Sequence, residues 1–98
     1  KLSALYLSNT PINNLDVLKS FPDLKILDIS GTQVTRLNAL ETASKLEQLD
    51  CYNTRVSSLK ALEIMPSLKL LRVYNTRLSQ KSVDKFKAAN PGVEVVYY

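Results

Sequence analysis

Residues 52–55 and 74–77 both read Tyr-Asn-Thr-Arg. Tyrosine offers an aromatic face with a polar tip, and arginine offers a planar fork of donors that matches a carboxylate; both are enriched where proteins bind one another. Tyr52, Tyr74, Arg55 and Arg77 are therefore the first candidates for chemistry, and that chemistry is recognition. The usual reactive groups are missing. The chain has no histidine and a single cysteine, Cys51, so histidine-based triads, haem attachment, histidine- or cysteine-rich zinc sites and an internal disulfide are excluded. The sequence predicts a chain that is not an enzyme and implies no cofactor and no metal site. Length sets a further bound, since 98 residues make one domain. No stretch approaches the roughly 20 apolar residues that a membrane helix needs, so no membrane insertion is expected.

The spacing of those two tetrapeptides extends along the chain. Leu2, Leu24, Leu46 and Leu68 stand 22 residues apart, and the columns Leu5, Leu27, Leu49, Leu71 and Leu7, Ile29, Cys51, Val73 keep the same period. So do Thr10, Thr32, Thr54, Thr76 and Ile12, Val34, Val56, Leu78. Leucines two apart point the same way from a strand, so each L-x-L predicts one short strand with those side chains in the core. Beyond each strand the apolar spacing becomes three, as in Leu15, Leu18, Phe21, then Leu37, Leu40, Ala43, then Leu59, Leu62, Met65. Short 3₁₀ or α turns follow from that spacing, ending near Pro22, Ser44 and Pro66.

The pattern L-x-x-L-x-L-x-x-T-x-I resembles the leucine-rich repeat signature, with threonine where Asn or Cys is usual. Its length is most similar to the short repeats of internalin-type bacterial proteins. The resemblance implies an α/β right-handed solenoid with a parallel sheet of about five short strands on the concave face, short turns on the convex face and one longer C-terminal helix. The repeats fall at residues 2–23, 24–45, 46–67 and 68–92, with a closing strand at 93–98 that places Val93, Val96 and Tyr98 in the leucine columns. The run from Leu68 onward is also similar to the terminal repeat of modules appended to larger bacterial proteins. A start directly on a repeat points the same way, to the C-terminal module of a longer protein. The compartment implied by the family is bacterial and outside the cytoplasm.

Individual residues carry plainer expectations. The threonine column predicts hydroxyl-to-backbone bonds rather than nucleophiles. Asn9, Gly31, Asn53 and Asn75 precede it, and both residue types tolerate a left-handed backbone. Cys51 stands in an inward column and reads as a buried small hydrophobe. Ser79 is placed to cap a helix running to Ala89, which Asn90, Pro91 and Gly92 stop. The tail from Val93 is a closing strand, with a partner-binding edge as the second possibility.

Residues between the leucines face outward. One such row is Ala4, Ile26, Gln48, Leu70, Val95, and the next is Tyr6, Asp28, Asp50, Arg72, Tyr97. The candidate partner-binding residues are thus Tyr6, Asp28, Asp50 and Arg72 together with Tyr52, Arg55, Tyr74 and Arg77. Residues 1–67 are balanced in charge and the +4 resides in the remainder. Without a nucleic-acid motif, that surplus is weak support for nucleic-acid binding. The expected function is a module for protein–protein interaction, with a glycan as another ligand and edge-mediated self-association open. The alternative is a structural spacer or terminal cap with no ligand.

Overall fold

A computed structural model describes residues 2–63 and 65–97. Five three-residue strands, β1 (Ala4–Tyr6), β2 (Ile26–Asp28), β3 (Gln48–Asp50), β4 (Leu70–Arg72) and β5 (Glu94–Val96), form one parallel sheet in sequence order. The register is in phase with the repeat, pairing Leu5 with Leu27, Leu27 with Leu49 and Leu49 with Leu71. Parallel neighbours need a crossover. Here three are built around 3₁₀ turns, Asp16–Ser20, Asn38–Thr42 and Lys60–Leu62, and the fourth around an α-helix, α1 (Gln80–Ala89).

The turns are 3₁₀ because apolar residues three apart eclipse one another at three residues per turn. Leu18, Leu40 and Leu62 lie inside these turns and are buried. Each turn closes on the carbonyl three residues back, with Phe21 N–H donating to Leu18 at 3.0 Å and Ala43 N–H to Leu40 at 2.9 Å. The fourth crossover is longer, and Ser79 caps its helix by accepting from the Ser82 N–H at 3.1 Å. Val83 and Phe86 are its buried face.

One sequence expectation is corrected. Leu71 pairs with Val95 and Arg72 with Val96, so the last strand sits one residue away from the register expected from Val93 and Val96. Glu94 and Val96, not Val95 and Tyr97, continue the outward rows. The alternation explains it, because Val93, Val95 and Tyr97 share one face and this choice leaves the charged Glu94 outside. The Tyr97 hydroxyl donates to the Leu78 carbonyl at 2.7 Å, tying the strand to the start of the helical crossover. Tyr98 lies outside the described residues.

The core is a set of stacked columns. Leu24, Leu27, Ile29, Leu46, Leu49, Cys51, Leu71 and Val73 are all buried, whereas Leu5 on β1 and Leu7 just past it are half-buried. Strand β1 has a hydrogen-bonded neighbour on one side only, so its columns are covered from that side alone. Removing a central side chain should therefore be costly. Leu49→Ala is expected to destabilise the domain by about 2–5 kcal/mol, a large share of a typical total of about 5–15 kcal/mol. Cys51→Ser should cost less, and urea melts showing no loss for either substitution would contradict the placement of these columns.

Candidate functional site

Strand spacing brings the repeated side chains together. Parallel strands lie about 4.8 Å apart, and Tyr52 and Tyr74, each two residues past its strand, stack with ring centroids 4.5 Å apart and planes 9° from parallel. Both are half-buried. The residues that follow are in the left-handed region, with φ of 55° at Asn53 and 52° at Asn75, and likewise 60° at Asn9 and 68° at Gly31. That turn ends each strand run and swings the next residues to the loop margin. There the Asn75 Nδ2 donates to Asn53 Oδ1 at 2.7 Å. Asn9 leans into the space that a side chain at residue 31 would occupy, so glycine at that position answers both a positive φ and a close neighbour.

The threonines complete each turn. The hydroxyls of Thr10, Thr32, Thr54 and Thr76 donate to the carbonyls of Leu7, Ile29, Cys51 and Val73 at 2.8, 2.7, 2.7 and 2.9 Å. The oxygens of the last three also accept at longer range from Val34, Val56 and Leu78 N–H. These bonds use a hydroxyl both as donor and as acceptor within its own loop. Cys51 is fully buried and its thiol is pushed well above its ordinary range, first by burial and then by the Asp50 charge. It is a packing residue.

The acidic candidates are less available than the sequence suggests. Asp28 Oδ1 accepts from both the Ser30 N–H, at 2.9 Å, and its hydroxyl, at 2.7 Å. Asp50 is only 5% exposed. Its Oδ2 takes Arg72 and Gln48, each at 3.4 Å, while Oδ1 is buried with no hydrogen-bond partner among the described residues. Arg72 remains partly exposed beside it, and Tyr6 is 64% exposed on β1. Arg55 and Arg77 are exposed. Among the described residues the tyrosine pair is the one aromatic contact, with no arginine seated on either ring. The structure thus joins the tyrosines to each other and Asp50 to Arg72, and it leaves Arg55 on the loop side. The asparagine bond and the orphaned Asp50 oxygen were not read from the sequence. The repeated Tyr-Asn-Thr-Arg run was the available signal for the first; nothing local signals the second.

Burial raises the Asp50 pKa above its ordinary 3.8, the neighbouring Asp28 adds to the rise, and Arg72 and Gln48 oppose it. A raised folded-state value means that the protonated form favours folding. This contribution is complete below the ordinary carboxylate range and is lost as pH climbs through the raised value. Asp50→Asn mimics the protonated form. Its melting temperature should match the wild type below a pH of about 3 and exceed it once the pH has climbed through the raised value; a difference independent of pH would contradict the assignment.

Among the described residues no group of His, Cys, Asp and Glu side chains could hold a metal ion, and no helix is long and apolar enough to cross a membrane. Comparison with known proteins bears on the scaffold. A family model described as leucine-rich repeats in two copies matches residues 1–42. A search of curated proteins gave no match. Internalin C2 from Listeria monocytogenes superposes with a TM-score of 0.87 at 26% identity, covering 99% of this chain and 42% of that one. The Leptospira interrogans leucine-rich repeat protein LIC12759 gives 0.85 at 23% identity, over 96% of this chain and 25% of its own. The functional domain of InlJ from Listeria monocytogenes gives 0.78 at 20%, over 98% and 20%. The chain therefore spans less than half the length of each of these proteins. The repeat columns, the in-phase parallel sheet and these likenesses agree that the chain is built of leucine-rich repeats similar to those of the internalins.

Proposed function

We propose that the chain is a recognition module that binds a protein partner through its strand face and the adjoining margin, with Tyr52 and Tyr74 as the anchor. The observation that carries this reading is the stacked pair itself, with rings 4.5 Å apart and half-buried. Each ring restrains the other before any partner arrives, so less side-chain freedom is lost on binding. Aromatic anchors of this kind, flanked by arginine, dominate binding energy at protein interfaces. Arg72 extends the surface on the strand face, and Arg55 and Arg77 extend it at the margin. All three lie in or beside the more basic part of the chain, which favours encounter with an acidic face. Similarity to internalin-type scaffolds supports the reading at the level of the fold; the fold alone does not choose a partner.

The competing reading is a spacer or terminal cap of a larger protein, whose surface serves only solubility. The two differ in what the surface residues do. A pull-down from the native source, with wild-type and Tyr74→Ala/Arg77→Ala bait of equal thermal stability, separates them. Loss of a specific captured protein is expected from the variant, and an identical captured set would overturn the proposal.

A further inference from the structure

The loop-side margin between the second and third coils carries a shallow groove of about 580 Å³. Thr32, Gln33 and Thr35 of the second coil, Asn53, Thr54 and Arg55 of the third and Asn75 of the fourth line it. No acidic side chain lines it, and its one charged group is the Arg55 guanidinium. The hydroxyls of Thr32 and Thr54 are already committed to their own loops. What remains is rich in donors. The Asn75-to-Asn53 bond uses the Oδ1 of Asn53 and leaves its Nδ2 hydrogens, and it is not continued to the second coil, where Gly31 has no amide to offer. The Gln33 amide and the Arg55 guanidinium make no side-chain hydrogen bond or ion pair among the described residues.

From this donor set, we infer that the groove takes a carboxylate side chain from an acidic segment of the partner protein, held on Arg55 with the amides of Asn53 and Gln33 beside it. The inference rests on the proposed protein-binding role. Guanidinium and carboxylate match as a two-pronged hydrogen-bonded pair, and amide N–H groups satisfy the remaining lone pairs. A cationic ligand would meet Arg55 and find no counter-charge in the lining. A neutral ligand could offer the guanidinium only an uncharged acceptor, a weaker partner than a carboxylate. The site is open to solvent, so the interaction should weaken with salt.

The test titrates the full ¹⁵N-labelled chain with the peptide Ac-Gly-Glu-Gly-Glu-Gly-NH₂, its glutamine analogue, and trigalacturonate as a sugar carboxylate. The glutamate peptide is expected to shift amides within residues 32–35 and 53–55. Arg55→Gln should weaken its binding about tenfold, the difference a charge-assisted bond makes. Lys81→Gln and Lys87→Gln, which do not line the groove, should leave it nearly unchanged. Equal binding of the glutamine peptide, equal loss in all three variants, or binding of trigalacturonate without the glutamate peptide would overturn the inference. The Tyr74→Ala/Arg77→Ala pull-down alters neither Arg55 nor Gln33 nor Asn53. A pull-down that loses its captured protein, alongside a failed titration, therefore removes the groove and spares the wider proposal.

Discussion

Every other feature of this molecule depends on the in-phase stacking of one leucine column against the next. Leu5, Leu27, Leu49, Leu71 and Val95 pair strand to strand in parallel register, and Leu27, Leu49 and Leu71 are fully buried. A single coil could not bury these side chains, because a three-residue strand and one turn of 3₁₀ helix enclose nothing. Burial comes from neighbours, as expected of a quasi-one-dimensional fold. The backbone ladder keeps the phase: Leu7 N–H donates to Asp28 C=O, Ile29 to Asp50, Cys51 to Arg72 and Val73 to Val96, all at 2.8–2.9 Å.

That phase is also what makes a surface. Residues 22 apart become neighbours across about 4.8 Å, so a duplicated tetrapeptide becomes a stacked aromatic pair and an asparagine-to-asparagine bond. The same geometry sets Asp28 beside Asp50 and Asp50 beside Arg72. It buries one carboxylate oxygen that has no partner among the described residues, which costs stability unless the proton stays. Surface and core are therefore two sides of one repeat, and a substitution that disturbs the columns disturbs the ridge as well.

The scaffold was legible in the sequence because its determinants are periodic. Leucines at fixed offsets specified the strands, apolar residues three apart specified short turns of 3₁₀ or α type that the structure forms as 3₁₀, Ser79 specified a helix start, and asparagine or glycine marked each left-handed residue. The last strand escaped by one residue because apolar side chains occupy both of its faces, so that only the outward placement of Glu94 distinguishes the registers. The site was legible in part. Tyr52 and Tyr74 were recognisable from repetition, but whether Arg55 would sit on a ring or in a neighbouring groove depends on the turn at Asn53, and the burial of Asp50 depends on what covers it from two other strands. Such effects arise from side chains packing across coils, which column patterns do not encode.

The central claim is that each coil is held by its neighbours, and native-state hydrogen exchange in a strictly monomeric sample tests it most directly. The amides of Ile29 and Cys51, bonded to adjacent strands within the stack, should be the slowest to exchange. The Leu7 amide makes a bond of similar length to Asp28, at 2.8 Å, but directly follows β1, a strand covered on one side; it should exchange markedly faster. Protection at Leu7 equal to that at Cys51 would contradict the claim, because the coils would then be stable independently of their neighbours.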